Sequence, residues 1–201
     1  MTSAPCPAQN PSMTECTRFS YKPTLTGDLV VLRPPAEDDV AALSPMFQDP
    51  ETARLTGMHT VFGEAALRRW YGSRGEQDDR LDLVVVERAT GAVVGEVVLN
   101  EWDEPNESCA FRICFTPAGT GRGLGTEATR LILGHAFEGL GLHRVWLEVY
   151  AFNPRARHIY EKAGFRAEGV LRGALLWAGE RVDATVMSIL APEWAARQAV
   201  G

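Results

Sequence analysis

The stretch Thr120-Gly121-Arg122-Gly123-Leu124-Gly125-Thr126-Glu127-Ala128 constrains the fold more than any other part of the chain. Three glycines alternate there, between an apolar run (Phe111 to Phe115) and a helical pattern (Thr126 to Glu138). Strand, glycine-rich turn and helix is the arrangement that leaves backbone N–H groups unpaired where a helix begins. Such a start binds phosphate, because the orphan donors and the positive end of the helix dipole point outward together.

Two familiar phosphate-binding patterns are excluded. A Walker turn needs a lysine followed by Ser or Thr after its second glycine, and no lysine stands there. A dinucleotide fingerprint needs Gly-x-Gly-x-x-Gly after the first strand of a parallel unit; here Gly121-x-Gly123 is followed by Thr126. The upstream segments Leu81–Glu87 and Ala92–Asn100, separated by Ala89-Thr90-Gly91, read as a hairpin rather than a parallel crossover. Cys109, Phe111, Ile113 and Phe115 alternate onto one face of the next strand, and Ala110, Arg112 and Cys114 onto the other.

The remaining pattern gives the element order β-α-α-β-β-β-α-β-α-β-β. Leu29–Leu32 is a strand, Ala36–Phe47 a helix, 49–63 irregular, and Glu64–Tyr71 a short helix. The helix after the glycine turn carries an inward stripe of Leu124, Ala128, Leu131, Ile132, His135 and Ala136. Val145, Leu147 and Val149 alternate on a strand. Asn153-Pro154 starts a helix as N-cap and first-turn proline, and Gly164 stops it. Two last strands flank Ala178-Gly179-Glu180. The expectation is an α+β fold: a mostly antiparallel mixed sheet of about seven strands with helices on both faces. One domain spans 24–195, with tails at 1–23 and 196–201.

Bulk properties bound the function. A chain of 201 residues with net charge −6 is a poor match for nucleic acid and mildly favours a cationic substrate. No apolar run is long enough to span a bilayer, and the first twenty residues lack the features of a signal peptide, so a cytoplasmic protein is expected. Cys6, Cys16, Cys109 and Cys114 have neither metal-ligand spacing nor a disulfide framework; they read as free thiols, with no metal site.

The glycine turn, with Asn153-Pro154-Arg155 and Tyr160-Glu161-Lys162-Ala163-Gly164-Phe165 downstream, resembles the GNAT N-acetyltransferases, and within them the Rim-type branch that acetylates ribosomal-protein N-termini. The family pattern Gln/Arg-x-x-Gly-x-Gly/Ala is met at Gly123 and Gly125 but begins with Thr120. The resemblance implies acetyl-CoA as co-substrate. Its pyrophosphate would rest on the N–H groups of Gly121, Arg122, Gly123, Leu124, Gly125 and Thr126, with charge from Arg122. Its pantetheine arm would pair with Ile113, Cys114 and Phe115 in a slot between the splayed strands 109–115 and 144–150, and Asn153 would bond its amides.

Acyl transfer to an amine needs a neutral amine and a protonated leaving thiolate. Tyr160 shares an apolar stripe with Ala156, Ile159 and Ala163, and the resemblance assigns a tyrosine there to the thiolate. Glu148 leads as base: it lies inside a strand, opposite the core-facing Val145, Leu147 and Val149, and twelve positions before Tyr160, a spacing the resemblance shares. An ion pair with Arg112 explains Glu148 equally well. Glu96, interrupting Val93–Leu99, is the reserve base, and a water chain is the third option. An amine of pKa about 10.4 costs about 4.6 kcal/mol to deprotonate at pH 7, against about 1.1 kcal/mol for an α-amine near 7.8. His135 reads as a core histidine with its bonds satisfied, and His59 as a lining residue on the substrate side.

Trp70, Trp102, Asp103 and Trp177 are the candidate acceptor-side residues, since exposed tryptophans stack on amines. The expected activity is direct acetyl transfer to a primary amine: a protein N-terminus, a polyamine, or an aminated antibiotic. The alternatives are transfer of a longer acyl group, or a CoA-binding sensor without turnover. The chain is expected to be a monomer or a homodimer, a dimer forming through an edge strand.

Overall fold

A computed structural model describes residues 18–60 and 62–199. Of the tail expected over 1–23, residues 1–17, with Cys6 and Cys16, lie outside the described residues. Phe19, assigned to that tail, is instead fully buried in the main core.

Among the described residues, eight strands form one sheet: β1 (Leu25–Thr26), β2 (Val30–Arg33), β3 (Leu81–Glu87), β4 (Val93–Asp103), β5 (Ser108–Phe115), β6 (Arg144–Tyr150), β7 (Arg166–Trp177) and β8 (Glu180–Leu190), in the order β1-β2-β3-β4-β5-β6-β8-β7. Every neighbouring pair is antiparallel except β5 and β6. The strand beyond the expected seven is the two-residue β1. The helices are α1 (Val40–Gln48), α2 (Pro50–Thr56), α3 (Glu64–Gly72), α4 (Leu124–Gly134), α5 (Pro154–Ala163) and α6 (Ala191–Gln198).

The alternation along the strands divides the helices between two faces. Leu83, Val85, Val97, Leu99, Phe111, Val145 and Leu147 share one core with α4, where Leu124, Ala128 and Ile132 are buried as the 3.6-residue stripe requires, and with Ala136 in the wider π-helical turn His135–Gly139 that continues it. Leu131 and His135, on the same stripe, are only partly covered. On the opposite face Val84 packs with Val40, Leu43 and Met46 of α1 and with Leu67 and Tyr71 of α3. Burying each such aliphatic side chain contributes about 1.5–3 kcal/mol.

Two helices went unanticipated. α2 lies in the segment expected to be irregular; Asp49 caps it by accepting from Thr52 N at 2.8 Å, Pro50 opens it, and Gly57 ends it at φ 67°. α6 follows β8 directly, where the expected domain ended in a tail. Glu193 accepts from Leu190 N at 3.1 Å, and Trp194 is buried against Phe137 while donating Nε1–H to Glu138 at 2.7 Å.

Glu127, one turn into α4, accepts from the backbone N–H groups of Asp28, Leu29 and Val30 at 2.9, 2.7 and 2.7 Å. This ties the start of α4 to the turn between β1 and β2, and so fixes where the glycine turn lies over the sheet.

Candidate active site

The sheet opens at its parallel pair. β5 and β6 pair at Ser108–Arg144, Cys109–Val145 and Ala110–Trp146, and there the pairing stops. Beyond it, Phe111–Phe115 stays on β4 and Leu147–Tyr150 stays on β8. The gap becomes a cleft of about 720 Å³. Ile113, Cys114 and Phe115 line it from β5, with Leu147, Glu148 and Tyr150 opposite, Asn153, Arg155 and Tyr160 from α5, and the glycine turn at one end.

At that end, Gly121 and Gly123 hold φ of 85° and 79°, a left-handed conformation that costs other residues about 1–2 kcal/mol. The turn carries the backbone N–H groups of residues 121–125 without an acceptor among the described residues, while Thr126 N and Glu127 N both bond to Gly123 O. A side-chain carbon at Gly121 would meet only Arg155 Nη2, at 3.7 Å. Orphan donors over open space fit a diphosphate. Gly125 serves packing instead: a carbon there would stand 3.2 Å from the Phe115 ring. Leu124 is buried and offers only its N–H.

Arg122 does not face this opening. Its guanidinium pairs with Glu87 and donates to Ala118 O at 2.9 Å. Arg155 takes the place beside Gly121. Asn153 caps α5, its Oδ1 accepting from Ala156 N at 3.1 Å, which leaves its Nδ2 donors for the cleft.

Tyr160 is 8 % exposed, its ring edge-on to Phe111 and Phe165. Its phenol lines the cleft with no hydrogen-bond partner among the described residues. Burial, and then the nearby Cys114 thiol, push its pKa above the ordinary tyrosine value. It therefore keeps its proton at neutral pH and can donate it.

Glu96, on β4 directly opposite Cys114, also lines the cleft. Burial raises its pKa above the usual carboxylate range, against the opposing effect of the Tyr71 hydroxyl, which donates to Oε2 at 2.5 Å. Tyr71 is 1 % exposed, anchored among the α1–α3 residues, so it holds the carboxyl in one place. Sequence reasoning missed this partnership. Glu148 is exposed at the other wall, and neither it nor Arg112 takes part in an ion pair among the described residues, contrary to the pairing that competed for it. Burial pushes the Cys114 thiol up to about 12, so it is no nucleophile at neutral pH.

The four acceptor-side candidates stand apart from these groups. Trp70 is stacked by Arg74, 3.7 Å from its ring centre. Trp102 packs edge-on against Phe19 at 5.3 Å. Asp103 accepts from Asn106 in its own turn. Trp177 lies 5.2 Å from the His59 ring. None lines the cleft; its roof on that side is Thr52, Leu55 and Thr56 of α2. His135 is lowered in pKa by burial, and its Nε2 has no partner among the described residues, where a satisfied core histidine was expected.

Residues 30–166 match the family described as acetyltransferase (GNAT) domain. The chain is 29% identical over 177 residues to the probable N-acetyltransferase YjcK of Bacillus subtilis, covering 84% of this chain and 98% of that protein. It is 35% identical over 106 residues to the spermidine N(1)-acetyltransferase of Vibrio cholerae, covering 53% of this chain and 61% of that enzyme. Among solved structures, the Vibrio cholerae spermidine N-acetyltransferase in complex with CoA and spermine superposes with a TM-score of 0.78 at 24% identity, over 84% of this chain and 99% of that one. The fold, the interrupted parallel pair and a family match spanning most of the sequence agree: the chain belongs to the GNAT acetyltransferases, enzymes that take their acyl group from acetyl-CoA.

Proposed function

We propose that this chain moves an acetyl group from acetyl-CoA directly to a primary amine, with Tyr160 as proton donor and Glu96 as proton acceptor. Acetyl-CoA supplies a thioester whose acyl carbon the amine attacks. The observation that carries the reading is the opening of β5 from β6 past Ala110 and Trp146, with unpaired N–H groups of the glycine turn at its end and a protonated phenol in its wall.

The N–H groups of residues 121–125 and the Arg155 guanidinium would hold the diphosphate, and the freed edge of Ile113–Phe115 the pantetheine amides. Alignment of amine and thioester then supplies much of the acceleration. Glu96 is the better base of the two carboxylates: a carboxyl with a raised pKa takes a proton more readily near neutral pH than one fully in water. Glu148 would draw the ammonium to the cleft. Tyr160, kept protonated by burial, would give its proton to the departing sulfur. The high pKa of Cys114 favours direct transfer over an acyl-enzyme.

Thiol release with acetyl-CoA and a panel of primary amines tests this. Tyr160→Phe is expected to lower kcat by about 10²–10⁴ while CoA still binds. A variant as active as the parent removes Tyr160 from the mechanism. CoA binding with no thiol released by any amine would leave a sensor.

A further inference from the structure

The acceptor half of the cleft holds an unmatched cation. Arg112 lies on β5 between Ala110 and Cys114, opposite Val98 of β4, at the point where β6 has parted from the sheet. Its side chain is exposed and lines the cleft. Three other arginines of the sheet are ion-paired, Arg33 with Asp39, Arg144 with Glu168 and Arg166 with Glu193, while Arg172 and Arg181 on β7 and β8, which are not, do not line the cleft. Among the described residues Arg112 is also unpaired, although Glu96, Glu101 and Glu148 line the same cleft. Glu96 is bonded to Tyr71, and Glu148 and Arg112 stand unpaired on facing strands. The guanidinium is central nonetheless, for it acts electrostatically on Glu96, Cys114, Tyr150 and Tyr160 at once.

We infer that the acceptor is an amine carrying its own carboxylate, an amino-carboxylate, whose anionic end is bound by Arg112 while its amine faces Glu96 and Glu148. A guanidinium is the side chain that meets a carboxylate with two parallel hydrogen bonds. The carboxylates across the cleft suit an ammonium, so the site complements a zwitterion. A polyamine would bring a further positive charge toward Arg112, where an amino-carboxylate brings the anion that pairs with it. The assignment rests on the acetyltransferase reading above and narrows its acceptor.

The test is initial-rate thiol release from acetyl-CoA with the full chain, offering the twenty common amino acids, their carboxamides, and spermidine. At least one amino acid is expected to exceed its own carboxamide in kcat/KM by about 10- to 150-fold, the effect of one charge-assisted hydrogen bond. Arg112→Gln should collapse that ratio toward one, and Arg112→Lys should restore part of it. Calorimetry with CoA confirms that each variant is folded. Spermidine or the carboxamides used as well as the amino acids would overturn the inference and leave the acetyltransferase standing. So would an unchanged ratio in Arg112→Gln, or no turnover of any amino acid. Failure of every amine while CoA binds would instead remove the activity itself.

Discussion

Replacing Tyr71 with Phe deletes one buried oxygen, the donor to Glu96 Oε2 at 2.5 Å, and leaves the packing of the ring in place. A hydrogen bond to a charged group contributes about 1.5–3 kcal/mol. At about 1.36 kcal/mol per pKa unit, its loss raises the Glu96 pKa by about 1–2 units. The sign follows from the bond favouring the carboxylate, while burial has already raised the pKa. If Glu96 accepts the proton, the acidic limb of kcat/KM against pH moves upward by about 1–2 pH units, and the rate recovers at higher pH. Stability changes in step. A carboxyl with a raised folded pKa contributes stability that is complete below the unfolded value, about 4.3, and is lost as pH rises through the folded one. Tyr71→Phe enlarges that loss. Its melting temperature should fall by about 3–12 °C at pH 8 and by less at pH 5, at about 2–4 °C per kcal/mol for a chain of this size. Thermal scans and pH–rate profiles at matched pH measure both. A variant whose profile overlays the parent's, with the same loss of melting temperature at every pH, refutes Glu96 as the titrating base.

Other outcomes follow from the glycine turn and its anchor. Gly121→Ala places a methyl group in the open cradle at φ 85°, so the melting temperature should fall by about 2–8 °C and calorimetry should show CoA affinity reduced at least about tenfold; unchanged affinity would move the diphosphate elsewhere. Glu127→Ala strips three backbone N–H groups of their acceptor, the one at Val30 fully buried, and should lower the melting temperature by about 6–12 °C, for a cost near 3 kcal/mol. Glu127→Gln, which keeps an acceptor oxygen, should lose about half as much, and an Ala variant within a degree of the parent would contradict the anchoring role.

Local rules made part of this site legible. The helix start at Asn153-Pro154, the stop at Gly164 and the strand alternation from Cys109 to Phe115 each depend on residues a few positions apart, and each is observed. The splayed slot came from the resemblance, and the end of pairing at Ala110 and Trp146 agrees with it. Tyr71 and Glu96 are 25 positions apart and meet only because α3 packs on α1 and α1 on β4; no local pattern announces that bond. The tryptophans were chosen for their chemistry alone. Trp102 finds Phe19, a residue placed in a tail, and Trp70 finds Arg74 one turn on, so each meets a neighbour before any substrate. α2 has an Asp-Pro start and a Gly stop, as α5 has Asn-Pro and Gly, but over seven residues it lacks a buried stripe to reveal it.

A crystal structure with CoA bound tests the central claim most directly. The account predicts diphosphate oxygens within about 3 Å of the backbone nitrogens of residues 121–125, the pantetheine arm between β5 and β6, and the sulfur beside the Tyr160 hydroxyl. A diphosphate bound away from the glycine turn, or a sulfur out of reach of that phenol, would contradict it.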